Sequence, residues 1–167
     1  MINYDTLSKS NGSSQEYFNG AVTVSDTATL AVNAGKVATI GMITVNSGAT
    51  LEVAESGTVA LGGDLTLKAG AALGFNYTTR NKPVLDLTDK AVTFEEGETT
   101  NVVVKISATA DKRPLAGENV LTYGEKFADV QVELAEGAPD WVKSVYVNND
   151  GNIAIDVKPI GTRIILR

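Results

Sequence analysis

The sequence predicts an all-β protein, a short parallel β-helix of about three to four coils followed by an antiparallel β cap. Three observations carry this expectation. One unit recurs without gaps as Val22-Thr-Val-Ser-Asp-Thr-Ala-Thr-Leu-Ala-Val32, Ile43-Thr-Val-Asn-Ser-Gly-Ala-Thr-Leu-Glu-Val53 and Leu65-Thr-Leu-Lys-Ala-Gly-Ala-Ala-Leu-Gly-Phe75. Its starts at 22, 43 and 65 lie 21 and 22 residues apart, inside the window of about 20 to 50 residues that marks solenoids and arrays. Within each unit apolar residues alternate with Thr or another small residue, the period of two that belongs to half-buried strands.

Taken in order, residues 1–20 form a linker or loose first coil, since Ser8 to Asn19 is rich in Ser, Asn and Gly and poor in apolar residues. Residues 21–94 are the coils. Each unit supplies two short strands around a bend, and Gly35-Lys-Val37 and Gly57-Thr-Val59 mark a further turn and a third strand. Equivalent strands of successive coils then pair, stacking like residues into ladders: Val22/Ile43/Leu65, Val24/Val45/Leu67, Ala28/Ala49/Ala71 and Leu30/Leu51/Leu73 inward, with Thr23/Thr44/Thr66 outward. A polar insertion from Asn76 to Pro83 follows, and Leu85-Asp-Leu-Thr-Asp-Lys-Ala91 reads as the start of a degenerate fourth coil.

Residues 95–167 form the cap. The repeat is lost there, and strands are expected at Val102 to Ser107, Val120 to Tyr123, Val130 to Leu134, Trp141 to Val147, Ile153 to Val157 and Arg163 to Leu166. Val145-Tyr-Val147 and Ile153-Ala-Ile155 flank Asn149-Asp-Gly151, whose residues tolerate positive φ, and predict an antiparallel hairpin. Such a cap would cover the unpaired backbone and open ladders of the last coil. No stretch holds a helical period free of Gly and β-branched residues, so no helix is expected.

Composition narrows the chemistry. The 167 residues carry 14 Lys+Arg against 20 Asp+Glu, no His and no Cys, which removes Ser-His-Asp and Cys-His catalysis, Cys or His zinc sites, haem ligation and thiol redox chemistry. A formal charge of −6 and a pI near 4.6 argue against nucleic-acid binding, which needs clustered Lys and Arg. No apolar run approaches the ~20 residues of a membrane span, and Met1 to Ser10 lacks the pattern of a signal peptide, so work outside the cell would require an export signal on a longer parent.

From about Val22 to Val157 the pattern of these units, followed by a β-rich segment ending Asp150-Gly-Asn-Ile-Ala-Ile-Asp-Val157, resembles the C-terminal passenger region of bacterial autotransporter-type surface proteins. The resemblance implies a right-handed parallel β-helix, a capping or autochaperone-like module that helps the passenger fold after export, and a parent with a signal peptide and a membrane-embedded barrel. A secreted repeat protein with another anchor would show the same coils.

Candidate sites are few. Asp86 and Asp89, beside Lys90, are the densest acid and base grouping in the coils, and paired carboxylates could act on a glycosidic bond. Asp86, pointing outward between Leu85 and Leu87, and Asp89, in a turn, are better explained as solvated surface groups. Glu95-Glu-Gly-Glu98 and Asn148-Asn-Asp-Gly-Asn152 invite a Ca²⁺ reading, but the second fails the EF-hand frame, with Tyr146 at the first ligand position when Gly151 is the sixth; a charge run and a turn account for both. The outward Thr23/Thr44/Thr66 and partial Thr29/Thr50 columns suggest ice-binding solenoids, yet neither is long, Thr is an ordinary outward strand residue and Ala72 breaks the second. Trp141, with Tyr146, is the candidate ligand contact, a stacking platform for carbohydrate, although Trp next to Val142 and Val145 more often plugs a core or an edge.

The expected function is a non-enzymatic structural module of a bacterial secreted or surface protein that caps and stabilises a β-helical stalk, with adhesion as a further role. The alternatives are a carbohydrate-active β-helix enzyme fragment, which would want acids with Arg or Lys on successive coils, and a carbohydrate-binding module. No cofactor, metal or catalytic residue is expected. The expected partners are the rest of a longer parent chain, surface glycans and further copies of the chain, with no nucleic acid and no membrane span in this chain, and the expected location is extracellular or at the cell surface.

Overall fold

β-branched and apolar residues alternating with Thr favour extended backbone whose side chains fall on two faces, and short turns rich in Gly, Asn and Ser end each such run. The computed structural model describes residues 3–4, 17–32, 39–54, 57–78, 82–94, 101–108 and 113–161. β1 (Asn3–Tyr4) precedes a first pass made of β2 (Tyr17–Val24) and β3 (Thr29–Val32). The second pass holds β4 (Thr39–Val45), β5 (Thr50–Val53) and β6 (Gly57–Ala60), and the third holds β7 (Asp64–Leu67), β8 (Ala72–Tyr77) and β9 (Pro83–Asp86). The fourth runs through β10 (Val92–Phe94) and β11 (Asn101–Ala108), then β12 (Gly117–Val120) and β13 (Thr122–Tyr123). β14 (Gln131–Leu134), β15 (Val142–Val147) and β16 (Ile153–Val157) follow.

Three sheets collect equivalent strands of successive passes, in the orders β1-β2-β4-β7-β10, β14-β11-β8-β5-β3 and β13-β9-β6, while β12-β16-β15 form a fourth. Pairing in the first three is parallel except between β1 and β2. The protein is therefore all-β, mostly parallel and β-helix-like, with no helix among the described residues.

The predicted ladders form and run further than the repeat suggests. Val22, Ile43 and Leu65 continue to Val92, and Val24, Val45 and Leu67 to Phe94. Leu30, Leu51 and Leu73 continue to Val104 and Leu134. Val32, Val53, Phe75 and Ile106 make another, and these positions fill one core. The Ala positions stack through the bends, where Thr50 N donates to Ala28 O and Ala72 N to Ala49 O, each at 2.9 Å. Space at other bends is tighter still: a Cβ on Gly63 would lie 1.0 Å from the carbonyl oxygen of Gly41 on the preceding pass, so no side chain fits there.

Three expectations need correction. Leu85 to Ala91 does not open a fourth coil: Leu85 pairs with Val59, so β9 closes the third pass, and the fourth begins at Val92 opposite Leu65. Residues 95–167 are not wholly antiparallel either, since β11, β13 and β14 extend the parallel sheets and only β12, β15 and β16 pair antiparallel. The physical reason is shared. Stacking fixes the strands but leaves the links between them free to lengthen, and the links after Phe75 are longer, which erases the 22-residue spacing. Tyr17 to Asn19, placed in a linker or loose first coil outside the coils at 21–94, belong to β2. The expectations for Gly35-Lys-Val37, Glu95 to Glu98 and Arg163 to Leu166 lie outside the described residues.

The hairpin from β15 to β16 forms around Asn148 to Gly151, with Gly151 at φ 67°. Its sheet is tied to the parallel stack by backbone bonds from Leu121 N to Ile153 O at 2.8 Å and Phe127 N to Gly151 O at 2.9 Å. Thr122, inward in the Val59/Leu85 ladder and fully buried, accepts from Ile153 N at 2.8 Å. On the outer face of the second sheet, Lys105 reaches across Gly74 to Thr50 Oγ1 at 2.8 Å. That leaves Thr50 only 2% exposed although it faces away from the core.

Leu51 sits mid-ladder at 2% exposure. Leu51→Ala is expected to cost about 2 to 5 kcal/mol in denaturant unfolding by opening a cavity; a loss below about 0.5 kcal/mol would contradict this ladder.

Candidate functional site

Both predicted ligand contacts are drawn into packing. Trp141 stands just before β15, half-buried against the core, with its ring edge-on to Tyr77 at a centroid distance of 5.3 Å and an angle of 81°. Its carbonyl accepts from Lys158 N at 2.9 Å, which ties the two ends of the hairpin together. Tyr77 is fully buried, its hydroxyl has no hydrogen-bond partner among the described residues, and burial holds its phenol well above the usual tyrosine range. Trp141 thus packs as a plug over the Tyr77 ring.

Tyr146 also serves the sheet. It lies opposite Ala154 on β16, and its hydroxyl donates to Glu118 Oε2 on β12 at 2.7 Å, so the ring crosses the central strand from one edge to the other. Ala154 beneath it is fully buried, although it alternates with the inward Ile153 and Ile155. Burial first, and then the hydrogen bond to Glu118, push the Tyr146 phenol up to about 12. Asn148 Nδ2 donates to the other oxygen of Glu118 at 3.3 Å.

Several residues of the other candidate sites are engaged in local hydrogen bonds. Asp86 Oδ1 accepts from Thr88 N at 3.0 Å and Thr88 Oγ1 at 2.6 Å, a local turn in which the carboxylate has a structural task. Lys90 Nζ donates to Gly62 O at 3.2 Å. In the hairpin, Asn148 Oδ1 accepts from Asp150 N and Asn152 N, and Asn152 Oδ1 accepts from Glu125 N, so the amide oxygens serve the turn. Among the described residues no three His, Cys, Asp or Glu side chains gather into a metal-binding group. The outward Thr column gains Thr93 but remains a single file of small residues.

Among the described residues a concave site appears that no sequence expectation covered. A solvent-open groove of about 680 Å³ runs along the outer face of the third sheet, over Thr58 on β6 and Val84 on β9. Tyr123 of β13, Lys82, Leu115 and Glu118 border it. Tyr123 is 42% exposed and Leu115 87% exposed. These side chains come from separate elements, and no spacing in the sequence connects them. The only local signal was Leu115, an apolar residue between Pro114 and Gly117 that belongs to no alternating run.

Comparison with known protein families, curated proteins and solved structures finds no match to this chain. No helix among the described residues is long and apolar enough to cross a membrane.

The Tyr146 phenol gives a pH test. Its proton is held more tightly in the folded chain than at the usual pKa near 10, so its contribution to stability is complete below about pH 10 and is lost as pH rises through about 12. Urea midpoints are expected to fall across that window and to fall less in Tyr146→Phe. An equal slope in both proteins would remove the tyrosine from the effect.

Proposed function

We propose that this chain is a non-enzymatic structural module of a bacterial secreted or surface protein. In this reading the parallel passes wind as a right-handed β-helical stalk, and the antiparallel sheet closes its last pass. The supporting observation is where the large buried side chains converge. Phe94, at the end of one ladder, meets Phe127 edge-on at 5.8 Å and 67°, Tyr77 meets Trp141, and Ile153, Ile155 and Val157 bury the inner face of the antiparallel sheet. An open solenoid end exposes ladders and unpaired backbone that template aggregation, and covering them is a stabilising task that needs no catalytic group. Export and surface location rest on the sequence resemblance. A carbohydrate-active enzyme is less well supported, because Asp86 is committed to its own turn.

The test is removal of the closing sheet. A chain ending after Glu136 keeps β14 and lacks β15 and β16, and it is expected to aggregate or to melt without cooperativity in size exclusion and circular dichroism. A monomeric, cooperatively melting product would show that the sheet is not a folding element. Thr122→Val, which keeps the shape but leaves Ile153 N–H without its acceptor, is expected to cost about 1 to 3 kcal/mol; a neutral effect would mean that the sheet and the stack are not coupled through this bond.

A further inference from the structure

We propose that the groove on the outer face of the third sheet binds a neutral oligosaccharide. The floor follows from strand alternation: with Val59, Leu85 and Thr122 inward, their neighbours Thr58, Val84 and Tyr123 fall outward. Tyr123 thereby presents an aromatic surface, 42% exposed, inside a concave space of about 680 Å³. A sugar ring is apolar on its C–H face and polar around its rim. It needs a flat apolar surface to stack on and donors and acceptors at the edges. Here Tyr123 and Leu115 give the apolar surfaces, while Lys82, Glu118 and Thr58 give charged and hydroxyl partners.

The rim is built, not incidental. Asn119, 7% exposed, donates from Nδ2 to Leu115 O and Gly117 O, both at 3.0 Å. The Arg113 guanidinium donates to Lys158 O. The loop holds Leu115 87% exposed beside Tyr123 at 42%, so the groove is bordered by two exposed apolar side chains. Glu118 is oriented by Tyr146 and Asn148.

Other occupants fit less well. Among the described residues one Lys and one Glu border the groove, which gives no cluster of one sign there for an anionic polymer. For an added peptide strand β12 is a poor edge: it is four residues long, begins at Gly117 with φ 98°, and has the Gly117 carbonyl taken by Asn119. Such features blunt a strand edge. The groove is also open and mixed in character, unlike a site for a lipid chain.

The full chain should be titrated calorimetrically with cellohexaose, maltohexaose, chitohexaose and α-mannohexaose. At least one is expected to bind with saturation, Tyr123→Ala to weaken it about tenfold, and Tyr123→Phe to retain it. Leu115→Asp alters only an exposed side chain; it is expected to reduce affinity without moving the melting temperature, and it keeps the test open if Tyr123→Ala folds poorly. Absence of binding by all four sugars up to about 10 mM would overturn the proposal, as would binding that Tyr123→Ala and Leu115→Asp leave unchanged. Capping is read by truncation and melting, so failure here leaves that reading standing, and the reverse also holds.

Discussion

In-register parallel pairing is the constraint on which the rest of this structure depends. Each residue of a strand sits on its equivalent in the preceding pass at a strand spacing of about 4.8 Å, so an apolar position in one pass imposes an apolar position on the next. Leu30, Leu51, Leu73, Val104 and Leu134 obey this through five strands. The same closeness forbids a side chain at Gly63 and leaves Gly74 bare between Glu52 and Lys105. What pairing does not control is the length of chain between strands, and there the molecule varies.

That division explains how much was legible in the sequence. From Val22 to Phe75 the links are short and nearly constant, so periodicity alone placed β2 to β5 and β7 to β8 and put the right residues in the core. Beyond Phe75 the strands keep their stacking partners while the links grow, and the same alternation no longer reveals which sheet a strand joins. Leu85-Asp-Leu87 suits any of the three faces, and only its pairing with β6 decides the matter. Trp141 was readable as a plug from its apolar neighbours. Tyr146 was not, because its role depends on Glu118, 28 residues away on another strand. The groove is the extreme case: its side chains meet only because β6, β9 and β13 pair and the Pro114 to Ala116 loop folds beside them.

A stack governed by like-on-like contact has no internal reason to stop, so its boundary must differ in kind. In the proposed capping role, the difference is a change from parallel to antiparallel pairing, joined to the stack by a threonine in place of an aliphatic residue. Thr122 gives up part of the apolar ladder to accept the amide of Ile153, converting a core position into a junction. Phe94 and Phe127 add an edge-on ring pair to the same core in a chain that is only 6% aromatic. Stability and shape at this end therefore rest on few residues, whereas the passes spread theirs over many.

The Tyr146 ring lying over Ala154 has an evolutionary corollary. A larger residue at 154 would lift the ring and part its hydroxyl from Glu118, while a smaller residue at 146 would leave Ala154 and the backbone of β16 open to water. Either change alone costs the sheet part of its cover, whereas a branched residue at 154 with a short one at 146 could restore it. Positions 118, 146 and 154 should accordingly drift as a linked set among relatives of this chain, with Glu118 released to vary once its phenol partner is gone.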